Sequence, residues 1–181
     1  TENVINRLPY GKVYILDQTH SELIDYPSIY QNFKKDIYEG LQDGLKQIKK
    51  YQKIILLYNE ERQPEGILEG FYLFCAQYGI QNKIINTLTD RELFKGELYI
   101  ILDDKNLIRI IKRIKDEHLI LAKDIGIISY NDTLLKEIVE GGITTISTNF
   151  NLMGERLAEM ILNSEFAQVE NPNRLILRKS L

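Results

Sequence analysis

Short apolar runs alternate with longer segments of helical periodicity along most of the chain. The runs at 54–57, 98–102 and 125–128 are too short for buried helices, so they predict strands covered on both faces of a parallel sheet. Apolar residues at helical spacing predict helices over 33–50, 65–78, 104–117 and 152–162. Further strands are predicted at 12–16, 28–30, 83–85 and 174–178, with a short helical piece over 90–94.

The order of these elements indicates the fold class. Strands and helices alternate with short connections, which predicts an α/β protein with a three-layer, doubly wound and mainly parallel sheet. Residues 1–27 and the helix at 152–162 do not fit into that sheet. We expect them to be parts of a neighbouring lobe whose remainder is missing from this chain.

Polar residues follow several predicted strands at the point where each strand ends. Asp17, Asp103 and Asn131 each come after a strand, and Tyr130 supplies an aromatic ring next to Asn131. Open parallel sheets bind ligands in the crevice beyond the carboxyl ends of their strands. These residues are therefore candidates for holding a small molecule whose polar groups need acceptors and donors together.

Each candidate also has a purely structural interpretation. The Asp103 carboxylate is predicted to cap the following helix by accepting hydrogen bonds from its free amides. Asn131 and Asp132 are typical of an Asx-type turn, and Asp17 is a residue that simply ends a strand. The sequence leaves both interpretations open at each position.

Composition and charge exclude several classes of function. The chain has 181 residues, of which 44% are hydrophobic, and its net charge of −3 does not favour a nucleic-acid surface. Its basic run at 109–115 is interleaved with isoleucines at helical spacing and predicts a solvated helix face. The single Cys75 fits a reducing cytosol. Because the chain has no long apolar run and opens on Thr1 without a signal-like segment, we expect a cytoplasmic location and no membrane partner.

Enzymatic chemistry finds little support in the residue pattern. His20 and His118 have no cysteine or further histidine at metal-binding spacing. A glycine pair at 141–142 precedes a strand, whereas a dinucleotide fingerprint opens a helix. We predict no catalytic residue, no metal ligand and no cofactor. The weakest alternative is a sugar-processing enzyme that uses Asp103 and Asp17.

Several segments, in their order, resemble one family. DIGIISYNDT, GGITTISTNFNLMGERLAEMIL and NRLILRKSL resemble the C-terminal third of the sensor domain of LacI/GalR-type repressors, which share their fold with periplasmic sugar-binding proteins. KVYILDQT, GILEGFYLFCAQYGI and IILDDKNL resemble earlier segments of the same domain. YPSIYQNFKKDIYEGL is more similar to regulators that join a GntR-type winged helix to this sensor.

The resemblance implies a truncated two-lobed sensor. Residues 28–148 and 171–181 would form its C-terminal lobe, and 1–27 and 149–170 would be remnants of its N-terminal lobe and crossovers. A monosaccharide or a derivative would bind between the lobes of a homodimer, and DNA would be contacted only through a domain missing from this chain. A periplasmic sugar-binding protein of a transport system is the alternative, which a signal peptide upstream would favour.

Two further expectations depend on the resemblance. The family often carries an effector-binding arginine where this chain has Ile67, and Arg62 in the preceding loop is the candidate to replace it, although a solvated loop arginine is the simpler interpretation. Missing partner strands would leave apolar surface on the N-lobe remnants. We expect that surface at Val13, Ile15, Leu152 and Met153.

Overall fold

The structure is a computed structural model that describes residues 5, 8, 10–18, 21–89 and 91–181. Its contacts divide the chain into two compact units. The larger unit comprises Phe33–Ser147 and Arg174–Leu181, and the smaller unit comprises Thr1–Asn32 and Thr148–Asn173. His20 and Asp90, on which two of the expectations above fall, lie outside the described residues.

Strands and helices alternate through the larger unit. The strands of the chain are β1 (Ile15–Asp17), β2 (Ser28–Tyr30), β3 (Lys53–Leu57), β4 (Asn82–Ile85), β5 (Glu97–Ile101), β6 (Ile125–Tyr130), β7 (Thr144–Thr148), β8 (Gln168–Glu170) and β9 (Asn173–Ile176). The helices are α1 (Phe33–Asp43), α2 (Leu45–Ile48), α3 (Glu65–Tyr78), α4 (Asp104–Asp116), α5 (Leu134–Ile138) and α6 (Phe150–Leu162).

A six-stranded sheet, ordered β4-β3-β5-β6-β7-β9, forms the centre of the larger unit. The pairs β3–β4, β3–β5, β5–β6 and β6–β7 are parallel. Successive residues of the central strands point to opposite faces, so Ile54 and Leu56 pack with α1 and α3 while Ile55 and Leu57 pack with α4. The predicted α/β class, with helices on both faces of a mainly parallel sheet, is confirmed.

Strands β3 and β5 lie side by side, but their following helices cover opposite faces. Helix α3 leads from β3 to the sheet edge at β4, and α4 leads from β5 to β6 in the other direction. The two chain directions therefore diverge above one pair of adjacent strands. Such a switch point leaves a crevice outside the carboxyl ends of the strands.

The smaller unit contains a parallel sheet of three strands in the order β1-β2-β8. Its apolar core joins Ile29 of β2 to Met153 and Met160 of α6. The expectation that apolar side chains of this unit are exposed is wrong at Val13, which is only 8% exposed, and at Met153, which is only 6% exposed. Ile15 is partly buried, and Leu152 is exposed as expected.

Three elements differ from their predicted form. The strand at 28–30, which the resemblance groups with the C-terminal lobe, is the middle strand of the smaller sheet, and strand order is not encoded in a local pattern. The long helix predicted over 33–50 is broken at Gly44 into α1 and α2. Residues 91–94 are not helical, because Arg91 is held by Tyr99 and Glu97 instead.

None of the described helices is long and apolar enough to cross a membrane.

Helices α1 and α3 approach each other closely at a glycine. A Cβ atom on Gly70 would lie 2.1 Å from the Lys34 carbonyl oxygen and 2.4 Å from Ile37 Cγ2. The first of these atoms belongs to the backbone of α1 and cannot rotate away. A side chain at position 70 would therefore push the two helices apart.

Gly70→Ala and Gly154→Ala form a matched pair of helix substitutions. We expect Gly70→Ala to lower the free energy of unfolding by about 2 kcal/mol or more, since overpacking of this kind typically costs about 1–3 kcal/mol. A Cβ atom on Gly154 would meet no other atom within 4 Å, so Gly154→Ala is expected to raise stability by about 0.5–1 kcal/mol through helix propensity. Urea unfolding followed by circular dichroism measures both, and a neutral Gly70→Ala would contradict the close packing.

Candidate functional site

A pocket of about 530 Å³ lies beyond the carboxyl ends of β3, β4 and β5 in the larger unit. Its lining is formed by Leu57, Tyr58, Asn59, Arg62, Gln63, Asn86, Thr87, Leu102, Asp103, Lys105, Asn106 and Arg109. The lining belongs to three strand ends, the loop after β3 and the first turns of α4. The pocket thus occupies the crevice at the switch point between β3 and β5.

Asp103 lines this pocket and also caps α4, so the predicted cap is confirmed. Its Oδ1 accepts from the Asn106 backbone N–H at 2.9 Å, and its Oδ2 accepts from Asn106 Nδ2 at 2.7 Å. Each carboxylate oxygen has a further lone pair. The cap therefore fixes the Asp103 side chain without using up its capacity to accept hydrogen bonds from a ligand.

Arg62 lines the same pocket from a loop that is held by its own hydrogen bonds. The Arg62 and Gln63 backbone N–H groups donate to the Asn59 carbonyl at 3.1 and 3.0 Å. The Asn59 N–H donates to Gln63 Oε1 at 2.6 Å, and the Tyr58 hydroxyl donates to the Gln63 carbonyl at 3.2 Å. The backbone that carries Arg62 is accordingly well fixed, while its side chain is exposed.

Tyr130 and Asn131 are not part of the pocket lining. Tyr130 is 5% exposed and belongs to the apolar cluster beneath α1 and α3, so its ring packs in the core and is not presented to this pocket. Asn131 takes a left-handed backbone conformation with φ of 60°, and its N–H donates to the Ile146 carbonyl at 2.8 Å. Its side-chain Oδ1 is buried and accepts no hydrogen bond from the described residues.

A buried lysine connects this corner to the start of α4. The Lys136 side chain is 3% exposed, and its Nζ donates to the carbonyls of Tyr130 at 2.7 Å and Asn131 at 2.8 Å. It also forms an ion pair with Asp104 Oδ1 at 2.9 Å. All three donors of the ammonium group are therefore satisfied. One side chain therefore holds the end of β6 and the start of α4 together.

Asp132 anchors the C-terminal segment, and the helix that follows it is capped by Thr133. Arg178 Nη1 and Nη2 donate to its two carboxylate oxygens at 2.6 and 2.9 Å, and Thr145 Oγ1 donates at 2.9 Å. The hydrogen bond from Arg178 lowers the pKa of Asp132 against the opposing effect of burial, and the bond from Thr145 adds to the decrease. This bidentate pair ties the end of β6 to the residues that follow β9.

Asp17 belongs to the smaller unit, where it ends β1 in a left-handed conformation with φ of 76°. Its carboxylate accepts a hydrogen bond from Gln31 Nε2. The structure thus brings Arg62 and Asp103 into one pocket within the larger unit. Asp17, Tyr130 and Asn131 are not among the residues that line it.

Several polar residues of the pocket are not among the candidates that the sequence indicates. Asn86 and Thr87 directly follow β4, so the rule that singles out Asp103 also applies to them. Lys105 and Arg109 are four residues apart on α4 and face the pocket together. Arg109 opens the basic run, for which the spacing alone predicts a solvated face.

A second hollow of about 1020 Å³ runs along the edge strand β4 and shares Tyr58, Asn59, Asn86 and Thr87 with the first. It extends past Tyr72 and Phe94, which are both about half exposed. The pocket of about 530 Å³ is lined by the strand ends and by the two candidates Arg62 and Asp103, so it is the candidate functional site. The part of the chain that the structure describes contains no group of three or more side chains suited to hold a metal ion.

Residues 48–181 match the family described as periplasmic binding protein-like domain. The chain belongs to this family. Among solved structures of the same fold is the Lac repressor bound to ONPG in its repressed state, which is 18% identical to this chain with a TM-score of 0.73. The match covers 99% of this chain and 59% of the Lac repressor chain. The Escherichia coli transcriptional repressor ascG is 16% identical to this chain with a TM-score of 0.74, and the match covers 99% of this chain and 72% of the ascG chain.

A third relative of this periplasmic binding protein-like fold is a periplasmic binding protein/LacI transcriptional regulator from Alkaliphilus metalliredigens, solved with D-xylulofuranose. It is 13% identical with a TM-score of 0.72, and the match covers 93% of this chain and 70% of that protein. The chain thus spans between 59% and 72% of these three relatives. A comparison with curated proteins gives no match.

Asp132→Asn removes the charge that faces Arg178 in this periplasmic binding protein-like domain. We expect the free energy of unfolding at pH 7 to fall by about 2 kcal/mol, the typical contribution of hydrogen bonds to a charged group. Because the folded pKa of Asp132 is lowered, this stabilisation is present above the ordinary aspartate pKa of about 4 and is lost as the pH falls through the folded pKa.

Urea unfolding of wild type and Asp132→Asn from neutral pH down to the acidic limit measures this effect. The difference between the two proteins is expected to be largest at neutral pH and to shrink as the pH falls. Asp116→Asn, at the exposed end of α4, is the matched control and is expected to change little. A difference that stays constant with pH would contradict the assignment.

Proposed function

We propose that this chain is the effector-binding domain of a bacterial transcription regulator and that its effector is a monosaccharide or a derivative of one. The observation that carries the proposal is the pocket at the ends of β3 and β5, where a carboxylate, several amides and two arginines converge. Sugars require acceptors and donors in such a mixture. Asp103 and Arg62 are the proposed contacts of this pocket with the sugar. Contacts of Asp17, Tyr130 and Asn131 with the sugar stay predictions from the sequence.

Known relatives support this choice of function. The matched Lac repressor was solved with ONPG, and the Alkaliphilus regulator with D-xylulofuranose. We propose that the larger unit corresponds to a C-terminal lobe and the smaller unit to part of an N-terminal lobe. Effector binding would then favour one arrangement of a two-lobed sensor and change DNA binding by a domain outside this chain. The chain itself would not be an enzyme and would act in the cytoplasm.

The choice between types of regulator is based on the sequence alone. The segment YPSIYQNFKKDIYEGL supports a GntR-type winged helix as the DNA-binding domain. A transport-binding protein of the periplasm is the second candidate, and the Alkaliphilus relative is described in terms of both types. The sequence that precedes residue 1 in the gene distinguishes them, because a winged helix favours regulation and a signal peptide favours transport.

Calorimetric titration of the full-length protein with a panel of pentoses, hexoses and their derivatives tests the proposed function. We expect at least one of them to bind with a dissociation constant of about 1 mM or lower, which corresponds to about −4 kcal/mol or a more favourable binding free energy. Asp103→Asn keeps a good helix cap but removes the carboxylate charge, so it is expected to weaken that binding about tenfold or more.

Asp116→Asn, at the other end of α4, is the control and is expected to bind as wild type does. The proposal would be wrong if no carbohydrate in the panel bound.

We also propose that the regulator is a homodimer, since one matched Lac repressor is described as dimeric. The larger unit exposes four aliphatic side chains near α4 and α5, namely Ile108 (59% exposed), Leu134 (80%), Leu135 (51%) and Ile138 (76%). Ion pairs of Asp104 with Lys136 and of Lys115 with Glu140 flank this apolar patch. Because Ile108 is one turn after Asp104, it lies on the face of α4 between the two pairs.

Ile138→Glu tests whether this apolar patch is the centre of the dimer interface. A charge placed there must lose its hydration on association, so we expect the dimer dissociation constant of the full-length protein to rise at least tenfold. Ile120→Glu, a similarly exposed site at 53% outside the patch, is expected to have no effect. Analytical ultracentrifugation measures both variants. Unchanged association of Ile138→Glu would place the interface elsewhere.

A further inference from the structure

The candidate pocket is strongly basic within an acidic chain. Its lining carries three cationic side chains, Arg62, Lys105 and Arg109, and one carboxylate, Asp103. The pocket therefore has a formal charge of +2, whereas the whole chain has a net charge of −3. A general excess of basic residues does not account for this cluster.

The three cations have no ion-pair partner among the described residues. Arg109 donates only to a neutral acceptor, Asn106 Oδ1, at 3.3 Å. At the start of α4, Asp103 accepts two hydrogen bonds from Asn106 and forms no ion pair with these cations, and Asp104 pairs with Lys136. The acidic residues of the loop after β3, Glu60 and Glu61, line the adjoining hollow and not this pocket.

Other clustered charges of the larger unit behave differently. Arg91 pairs with Glu97 at 2.6 Å, Arg178 with Asp132 at 2.6 Å, and Lys136 with Asp104 at 2.9 Å. These three cations are largely buried, and each has a carboxylate partner. The three cations of the pocket are exposed and share one carboxylate, Asp103, among the lining residues, so the negative charge of a ligand would fit there.

Helix α4 adds to the same field. Its first turn borders the pocket through Asp103, Lys105 and Asn106. The amino end of a 13-residue helix carries a partial positive charge that favours anions. The three cations and the backbone dipole thus act in the same direction, against the carboxylates of Asp103 and Asp104 at the same helix end. Asp103 and the amides are left to recognise hydroxyl groups.

We infer that the effector is an anionic carbohydrate, a sugar that carries a phosphate or a carboxylate. This inference rests on the proposed function and narrows it. Arg62, Lys105 and Arg109 would bind the anionic group, and Asp103 would accept hydrogen bonds from sugar hydroxyls. Arginine suits this role because its planar group binds phosphate and carboxylate in a bidentate manner.

Matched pairs of ligands test the inference on the full-length protein. Calorimetry with sugar phosphates beside their parent sugars, such as glucose 6-phosphate and glucose, and with uronates beside theirs, such as galacturonate and galactose, separates phosphate from carboxylate as the source of charge. The anionic member of at least one pair is expected to bind at least tenfold more tightly. That preference is expected to decrease with ionic strength, since salt screens exposed charges.

Variants locate the effect on the pocket. Arg62→Gln, Lys105→Gln and Arg109→Gln are each expected to weaken the anionic ligand about tenfold, the change that about 1.4 kcal/mol produces. Lys105→Gln and Arg109→Gln are expected to leave a neutral sugar unaffected. Lys112→Gln removes an exposed cation of the same helix that does not line the pocket. It is the matched control and is expected to bind as wild type does.

The outcomes separate the inference from the function beneath it. A neutral sugar that binds as tightly as its anionic counterpart would overturn the inference and leave the proposed function standing. Inorganic phosphate that binds as tightly as every sugar phosphate would also overturn it, because the carbohydrate would then contribute nothing. If no carbohydrate of either kind bound, the proposed function itself would be wrong.

Discussion

The divergence of α3 and α4 from two adjacent buried strands is the constraint on which the rest of the larger unit depends. β3 and β5 are paired along five residues each, and four of the five in β3 and all five in β5 are buried. Side chains inside such strands must be apolar or fully bonded, so polar chemistry is confined to the strand ends. Because the two helices leave toward opposite faces, those ends face an open crevice rather than a packed layer.

The strands and their polar ends could be predicted because both leave a local signal. Four consecutive aliphatic residues at 54–57 identify a doubly covered strand, and Asp103 before an amphipathic helix identifies a cap. Tyr130 is a core residue rather than a ring beside the pocket, and the strand pattern contains the signal for this. It is two residues after Ile128, so both side chains point to the same face of the sheet, and that face is covered by α1 and α3.

What the sequence could not supply depends on contacts between distant positions. Asp132 and Arg178 are 46 residues apart, and nothing in either segment indicates that they form a bidentate pair. The middle position of β2 in the smaller sheet is set by two partners, β1 and β8, of which the second comes from the far end of the chain. Lys136 has the sequence context of an ordinary helix lysine, and only the folded corner shows that its ammonium group holds two carbonyls and a carboxylate.

Stability alone does not explain why the pocket cations lack partners among the described residues. Arg62, Lys105 and Arg109 repel one another across a shared hollow, and Asp103, the single carboxylate that lines it, offsets only one of the three charges. The chain has 26 acidic residues, and it pairs its other clustered cations near β5 and β6. Natural proteins tolerate such local costs chiefly at functional sites. An anionic ligand would supply the missing charge only when bound, so its binding energy would include the relief of a repulsion that the empty pocket retains.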